Sequence, residues 1–263
     1  MIDNRAAEVN KMPDRIMQGK NIIITGAGRG IGRVMLELFA ESGANIWACI
    51  RKPDEQFSRD AAEISEKNQI WIKPVCFDLS DEDDIRQGIQ SIIKEKKRID
   101  VLINNAGISH GGLATMTPIS TVKDVFQVNC FAPVQIMQMI LRVMMRQKGG
   151  CIVNMASVGG IEATPGYLAY GSSKAALIYA TKTISHEVGQ YGIRVNAIAP
   201  GLTETDMGNV KPEEEIQKIL DRSSLHRKAD PSEIAKCALF LASDAASFIT
   251  GQVLIADGGR ICV

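Results

Sequence analysis

The sequence has no excess of charge of either sign, and this absence limits the partners that it fits. Its 263 residues include 30 Lys plus Arg and 30 Asp plus Glu, so the formal net charge is zero. A domain that binds nucleic acid usually carries a basic excess, because it has to neutralise phosphates. We therefore expect no nucleic-acid partner.

Long apolar runs are also absent. No stretch approaches 18 consecutive apolar residues, and the first 20 residues lack the apolar core of a signal peptide. We expect no membrane span and interpret the chain as a cytoplasmic protein. Residues 1–18 are interpreted as an N-terminal extension, partly ordered at best, ahead of one catalytic domain over residues 19–263.

Metal-binding motifs are missing as well. The six cysteines form no C-x-x-C pair and no zinc-finger spacing, and the three histidines form no local cluster. We therefore expect no metal site. Cys49, Cys76 and Cys151 lie in or beside short apolar runs, a position that is typical of small buried hydrophobic residues.

What the sequence does contain is an alternation of short apolar runs with longer helical patterns. Such an alternation predicts an α/β fold of Rossmann type, a doubly wound parallel sheet of about seven strands with helices on both faces. An irregular insert near residues 201–230 follows the sixth strand. The predicted strands lie at 21–25, 45–50, 70–77, 99–104, 151–156, 193–199 and 252–256, and the predicted helices near 30–43, 56–68, 81–97, 121–148, 168–190 and 231–243.

A glycine-rich loop, "TGAGRGIG" at residues 25–32, joins the first strand to the first helix. Glycines at Gly26, Gly30 and Gly32 allow a tight turn and the close approach of a pyrophosphate. The helix N-terminus then offers unpaired N–H groups and a partial positive charge. The position between strand and helix predicts a dinucleotide site, with the spacing T-G-x-x-x-G-x-G.

The end of the second strand indicates which dinucleotide is preferred. Proteins that prefer NAD usually place an acid there for the ribose 2′-hydroxyl, whereas this chain has Ile50 followed by Arg51 and Lys52. Arg29 in the glycine loop is expected on the same side. Because guanidinium groups suit a 2′-phosphate, the sequence predicts NADP(H).

Taken together, the motifs resemble those of the short-chain dehydrogenase/reductase family over residues 19–263. The motifs that carry this resemblance are "TGAGRGIG" (25–32), "FDLSD" (77–81), "NNAG" (104–107), "VNCFAP" (128–133), "NMAS" (154–157), "YGSSK" (170–174), "NAIAPG" (196–201) and "ITGQVLIADGG" (249–259). The resemblance implies a catalytic tetrad and a cofactor site. The implied tetrad is Asn129, Ser157, Tyr170 and Lys174, and the implied cofactor residues are Gly26, Arg29, Gly30, Ile31, Gly32, Arg51, Asp78, Leu79, Asn105, Ala106, Gly107, Tyr170, Lys174, Pro200, Gly201, Thr203 and Thr205.

The reaction that this tetrad would support is the reduction of a ketone to a secondary alcohol. Tyr170 can donate the proton, but an unperturbed tyrosine pKa of about 10 makes it slow near neutrality. Lys174 lies four residues later on a helix, on the same side, and we expect its charge to lower the pKa of Tyr170. Tyr167 is interpreted as pocket lining or core. Ser157 would hold the carbonyl oxygen, and Asn129 would anchor a water in a proton relay.

Within the family, "PGLTETDM" (200–207) and the C-terminal motif look most similar to β-ketoacyl-acyl-carrier-protein reductases of fatty acid biosynthesis. The substrate implied is a 3-oxoacyl thioester, with acyl carrier protein as a candidate partner. Gln135 and Tyr191, however, stand where basic docking residues would be expected. Arg142, Arg146 and Lys148 are alternatives for docking, although a solvated helix face is the better interpretation of these three.

Two other interpretations stay open: an enzyme of this family acting on a free ketone, sugar or polyol, and a non-catalytic NADP(H)-binding regulator. An intact tetrad disfavours the regulator. The resemblance also implies a homotetramer or homodimer that pairs the helices at about 121–148 and 168–190. Residues 202–226 are predicted to form a substrate lid, with "KPEEEIQKIL" as its helix.

Overall fold

A parallel sheet of seven strands forms the centre of the molecule in the computed structural model, which describes residues 15–208 and 213–261. Its strand order is β3-β2-β1-β4-β5-β6-β7. The order confirms the predicted doubly wound sheet. The strands are β1 (Asn21–Thr25), β2 (Asn45–Ile50), β3 (Ile72–Cys76), β4 (Val101–Asn104), β5 (Gly150–Met155), β6 (Ile193–Pro200) and β7 (Val253–Ala256).

Helices cover both faces of this sheet. On one face α1 and α8 pack on the sheet through one apolar cluster, and on the other face α3, α5 and α6 pack through a second. Burial on both faces explains why the strands read as nearly continuous apolar runs. The helices are α1 (Gly30–Glu41), α2 (Glu55–Asn68), α3 (Glu82–Lys94), α4 (Ile119–Phe126), α5 (Ala132–Gln147), α6 (Leu168–Val188), α7 (Glu213–Asp221) and α8 (Pro231–Ala242).

Helices α4 and α5 are joined without a loop. A single π-helical turn, Gln127–Phe131, carries the chain from one to the other, so the helical run extends over Ile119–Gln147. By length and composition alone this run of 29 residues could cross a membrane, but half of its most apolar window is buried inside the molecule. The core helix of a globular fold meets the same two criteria, so the run does not indicate a membrane span.

The structure corrects the expected burial of Cys76 and places part of the predicted extension in the core. Met17 is 1% exposed and donates its backbone N–H to the carbonyl of Ser42. Cys76 ends the edge strand β3 and is exposed, whereas Cys49 and Cys151 on inner strands are buried as expected. The other residues of the predicted extension, 1–14, lie outside the described residues.

The crevice for a ligand follows from the strand order. The chain moves outward from β1 through β2 to β3, and then returns to place β4 on the other side of β1. At such a reversal the loops that leave β1 and β4 diverge, and a cleft opens at the carboxyl ends of the strands. The glycine loop and the loop after β4 both begin at this edge.

Candidate functional site

The glycine loop disfavours a side chain at three positions, Gly26, Gly30 and Gly32. Gly26 and Gly30 have φ values of +68° and +54°, in the left-handed region that favours glycine. A Cβ atom added to Gly32 would lie 2.0 Å from the carbonyl oxygen of Gly26. The first turn of α1 therefore folds directly onto the loop, and its N–H groups face the cleft edge.

A second strand end locks this loop in place. The Thr25 hydroxyl accepts the backbone N–H groups of Asn105 and Ala106 at 3.0 and 3.1 Å. The Asn105 side chain in turn donates to the carbonyls of Thr25 and Gly26 at 3.0 and 3.3 Å. Asn105 and Ala106 thus support the glycine loop from the end of β4, and their contact with a cofactor stays a prediction. Thr25 was missed, although a hydroxyl ending an apolar strand was its signal.

The basic residues predicted to bind the cofactor lie in two different surroundings. Arg51 and Lys52 lie near Asp78, whose carboxylate accepts the backbone and side-chain donors of Ser80. These hydrogen bonds, with smaller contributions from the two cations, lower the pKa of Asp78. Arg29 instead forms an exposed ion pair with Asp206, 3.5 Å away. The 2′-phosphate role of both arginines stays a prediction.

Asn129 lies in the π-helical turn between α4 and α5 and is fully buried. Its amide group donates to the carbonyl of Ile108 at 2.8 Å and to the Ser173 hydroxyl at 3.1 Å, and its oxygen accepts the Ile108 N–H at 2.9 Å. The side chain therefore joins the loop after β4 to α6. π turns of this kind occur frequently at functional sites.

Ser157 and Tyr170 meet where β5 ends. Ser157 begins a 3₁₀ turn, Val158–Gly160, and its hydroxyl accepts the Gly159 N–H at 3.1 Å. The Ser157 side chain approaches the Tyr170 phenol closely enough to lower the pKa of Tyr170 in part. The Tyr167 ring packs edge-on against that of Tyr170, with 5.5 Å between ring centroids. The two hydroxyls that the sequence assigned to one carbonyl oxygen are thus brought together.

Lys174 lies one helical turn after Tyr170, on the same side of α6. Its ammonium group is 6.0 Å from the centre of the Tyr170 ring and donates to the carbonyl of Met155 at 2.7 Å. A Cβ atom on Gly107 would lie 3.1 Å from the Asn129 side-chain oxygen and 3.3 Å from the Lys174 nitrogen. Gly107 therefore leaves open a space that borders both groups.

The pKa of Tyr170 differs from the sequence expectation. We expected Lys174 to lower it, but burial of the phenol raises it, and the nearby Ser157 side chain offsets only part of that effect. Burial also lowers the pKa of Lys174 to about 8. Lys174 is not among the causes of the pKa shift at Tyr170; its ammonium group donates to the Met155 carbonyl and lies 6.0 Å from the centre of the Tyr170 ring.

The loop after β6 approaches the cofactor loop. The Thr205 methyl group lies 3.7 Å from where a Gly30 Cβ would be, and Gly201 packs on Asp257 so closely that its Cβ would lie 2.7 Å from the Asp257 Cα. Thr203 forms a bridge with Ala229, which closes the predicted lid at its base. Pro200 ends β6, and residues 209–212 of the lid lie outside the described residues.

The positions considered for docking a carrier protein fall into two groups: two side chains make contacts within the molecule, and three cations are exposed. Gln135 donates to the backbone carbonyl of Glu82 at 2.7 Å, and Tyr191 packs against the second apolar cluster. The alternative cations Arg142, Arg146 and Lys148 are exposed on and just after α5.

Leu79, predicted beside the adenine, accepts a hydrogen bond through its carbonyl from Gln127 at 3.1 Å.

The sheet order, the glycine loop at its switch point and the Ser157–Tyr170–Lys174 group define a nucleotide-dependent oxidoreductase of the short-chain class. A family model described as "Enoyl-(Acyl carrier protein) reductase" matches residues 26–260. The chain belongs to this family, the short-chain dehydrogenases/reductases.

Among its relatives is the 3-oxoacyl-[acyl-carrier-protein] reductase of Thermotoga maritima, 38% identical over 247 residues, which covers 93% of this chain and 99% of that protein. The enzyme of the same description from Aquifex aeolicus is 36% identical over 92% of this chain and 98% of its own. A crystal structure of a gluconate 5-dehydrogenase from Burkholderia cenocepacia, in complex with NADP and tartrate, has a TM-score of 0.86 and 30% identity, covering 94% of this chain and 97% of that chain.

Proposed function

We propose that this protein is an NADP(H)-dependent reductase of 3-oxoacyl thioesters, producing the 3-hydroxyacyl product. The observation that carries the proposal is the grouping of Ser157, Tyr170 and a buried Lys174, whose ammonium group lies 6.0 Å from the centre of the Tyr170 ring, at the sheet edge where the glycine loop begins. Two hydroxyl groups at one point suit an oxygen that becomes an alkoxide. The descriptions of the bacterial relatives supply the substrate class.

The proposed roles follow from the contacts. NADPH, when bound, supplies the hydride. Ser157 holds the carbonyl oxygen, and Tyr170 donates its proton to that oxygen as negative charge develops there. The raised pKa makes Tyr170 a weaker acid than a free phenol, so proton donation relies on the negative charge that develops on the substrate oxygen. Lys174 and Asn129 border the space left by Gly107, where a water could return a proton to Tyr170.

Three exposed apolar side chains that neighbour proposed site residues in the sequence support an acyl substrate over a polyol. Ile108 follows Gly107 directly, Ile161 ends the turn that Ser157 begins, and Met207 follows the loop with Thr205. All three side chains are exposed. Each is within four residues of a proposed site residue, and an acyl chain would bury apolar surface on binding such side chains.

A second candidate is a dehydrogenase of a polyol or sugar acid. The observation in its favour is the structural likeness to the gluconate 5-dehydrogenase described above and to a putative NAD(P)-dependent gluconate 5-dehydrogenase from Beutenbergia cavernae with bound NADP. The latter has a TM-score of 0.87 and 32% identity, covering 93% of this chain and 97% of that chain. This reading predicts oxidation of gluconate with NADP and no reduction of acyl thioesters.

The test is a panel of substrates followed by NADPH absorbance. Acetoacetyl carrier protein, acetoacetyl coenzyme A and a small β-ketoester test ketone reduction, a crotonyl thioester tests the enoyl activity in the family description, and gluconate with NADP tests the second candidate. We expect turnover of the acetoacetyl thioesters. Turnover of crotonyl thioester or gluconate alone would overturn the proposal. Activity on the coenzyme A ester but not on the carrier protein would remove the carrier as a partner.

The cofactor preference is tested with the same substrate. We expect kcat/KM to be at least about tenfold higher with NADPH than with NADH, because Arg51 and Lys52 stand where an acid would bind the ribose. Arg51→Ala should remove most of this preference while leaving NADH kinetics within about twofold. A clear NADH preference in the unchanged enzyme would contradict the assignment.

The assembly is proposed as a homotetramer or homodimer through α4–α5 and α6. The side chains of Phe131 and Tyr179 on these helices are large, apolar or aromatic, and exposed. Pairing would cover them. A mass equal to the monomer by light scattering would reject the assembly.

A further inference from the structure

We propose that Glu162 is a positioning residue for substrate binding: its carboxylate ties the turn that carries Ser157 to the end of the predicted lid and to the segment after β7. The inference rests on the proposed function for its kinetic consequence and on the contacts alone for the tie. Glu162 lies outside every motif that identified the site, in the segment "GGIEATPG" (159–166).

The carboxylate reaches two arginines from different parts of the chain. One oxygen accepts from Arg222, one residue after the end of α7, and the other accepts from Arg260 at 2.6 Å. Each pair spans 60 residues or more, 60 for Arg222 and 98 for Arg260. These pairs therefore hold together segments that no secondary structure joins.

The backbone of Glu162 is fixed to the catalytic turn. Its N–H and that of Ile161 both donate to the carbonyl of Val158 at 2.9 Å, and the Gly160 N–H donates to the carbonyl of Ser157 at 2.9 Å. The position of the Glu162 side chain is thus rigidly related to Ser157. Because of these hydrogen bonds, a displacement of the Glu162 carboxylate would also displace the turn that Ser157 caps.

The two arginines are connected to each other behind the carboxylate. Next to Arg222, the Ser223 hydroxyl donates to the carbonyl of Gly258 at 2.9 Å, and the N–H of Leu225 donates to the same carbonyl at 3.0 Å. That turn abuts the loop after β6, where Gly201 packs on Asp257. Glu162 therefore completes a ring of contacts between the turn that Ser157 caps, the segment after α7 and the segment after β7.

Burial makes the charge of Glu162 costly to lose. The Arg260 side chain is only 10% exposed, and among residues 15–208 and 213–261 the carboxylate that pairs with it is that of Glu162. The hydrogen bonds from Arg222 and Arg260 lower the pKa of Glu162, so it stays charged at neutral pH. A neutral amide would leave a buried guanidinium without a counter-charge, which costs more than an exposed pair.

The kinetic test is Glu162→Gln. We expect the KM for the ketone to rise about fivefold or more, with kcat and the Kd for NADPH changed less than about twofold, because the tie orders the substrate side only. Arg222→Gln should raise KM as well, and adding it to Glu162→Gln should have little further effect. A variant that is merely less folded would lose apparent kcat and keep its KM, and that result would overturn the proposal.

A matched control comes from an ion pair of the same exposure elsewhere. Asp60 is 30% exposed and joins α2 to Arg33 of α1, whereas Glu162 is 29% exposed. Asp60→Asn should lower stability comparably and leave the KM for the ketone unchanged. An equal rise of KM in both variants would show that any lost ion pair has this effect, and would overturn the proposal.

Hydrogen exchange tests the tie without any substrate. Amides of residues 213–225 and 158–162 should exchange faster in Glu162→Gln than in the unchanged protein, and Asp60→Asn should not show this. Exchange that is unaltered in Glu162→Gln would overturn the tie even if the enzyme reduces ketones. If exchange rises but no ketone is turned over, the proposed function fails while the tie stands.

Discussion

The cofactor loop and the predicted lid lie at the same edge of the sheet but are held by different kinds of contact. The glycine loop is held by backbone groups, with the Gly26 carbonyl so close to α1 that a Cβ on Gly32 would be 2.0 Å away. The lid has backbone contacts at its base, such as the Thr203–Ala229 bridge, but it also depends on side-chain ion pairs near its ends, Arg29–Asp206 and Glu162–Arg222.

This difference has a physical consequence. Close contacts made by backbone atoms permit almost no substitution, so the nucleotide-binding side can be recognised in the sequence as a motif. Ion pairs at partly exposed positions can be exchanged for other pairs at small cost, so the substrate side has no comparable sequence motif. The comparison therefore predicts large effects at the loop and at the reacting atoms, and graded effects at the lid.

The largest effect is expected at Tyr170, where the two sides meet. Tyr170→Phe should lower kcat by about 10³-fold or more, because it removes the proton donor, while the Kd for NADPH changes less than about threefold. Turnover and nicotinamide fluorescence measure the two quantities. The control is Tyr179→Phe, an exposed tyrosine of the same helix, which should keep full activity. Near-normal kcat in Tyr170→Phe would sink the proposed roles.

The next largest effect is expected at Gly32, where a Cβ atom would collide with the Gly26 carbonyl. Gly32→Ala should lower the free energy of unfolding by roughly 2–4 kcal/mol and abolish NADPH binding, because its Cβ forces α1 away from Gly26. Gly189→Ala is the matched control, since nothing lies within 4 Å of its Cβ and its φ is −56°. Denaturant unfolding measures the free energy of unfolding of both variants. Equal stability of the two variants would refute the tight-packing argument.

A pH effect of intermediate size is expected from Lys174. Burial lowers its pKa to about 8, so its charge is present below that pH and lost above it. If the charge is needed, kcat/KM for NADPH, which reports the free enzyme, should fall by about tenfold per pH unit above pH 8. A profile that stays flat to pH 9.5 would contradict this.

Stability should change in the opposite direction over the same range. Between pH 8 and about 10.5 the unfolded chain keeps a proton on this lysine that the folded protein has released, so the stability rises with pH. Lys174→Met should remove this rise. A fall of activity together with a gain of stability separates the lysine from general alkaline unfolding.

The smallest effect is expected at the outer end of the lid. Arg29 and Asp206 are 84% and 85% exposed, so their ion pair contributes little to stability. Asp206→Asn should tighten NADPH binding about twofold at low salt, because it frees Arg29 for the 2′-phosphate, and the gain should vanish at high salt. Weaker binding in this variant would mean that Asp206 helps to place Arg29.

Much of the fold could be predicted because its signals are local. The strand β1 and the start of α1 agree with the prediction to the residue, and the other strands and helices agree within a few residues. The site residues were implied by the resemblance of short motifs to those of the family. Continuous apolar strands and a glycine loop are likewise properties of short segments.

What the sequence did not reveal depends on distant contacts. The link between Glu162 and Arg260 spans 98 residues, and the burial of Met17 depends on its packing beside Ser42. The raised pKa of Tyr170 likewise depends on how the phenol is enclosed. None of these is written in the spacing of neighbouring residues.

The π-helical turn at Gln127–Phe131 rotates the directions in which side chains leave the long helix before and after it. A regular α-helix advances about 100° per residue, so one extra residue in a turn rotates everything after it by about that angle. The turn itself carries Asn129, which contacts the loop after β4, and the helix after the turn presents the apolar face of α5 to the core. Deleting a single residue here would restore a regular helix, yet it would force the protein to give up either its buried amide or part of its core.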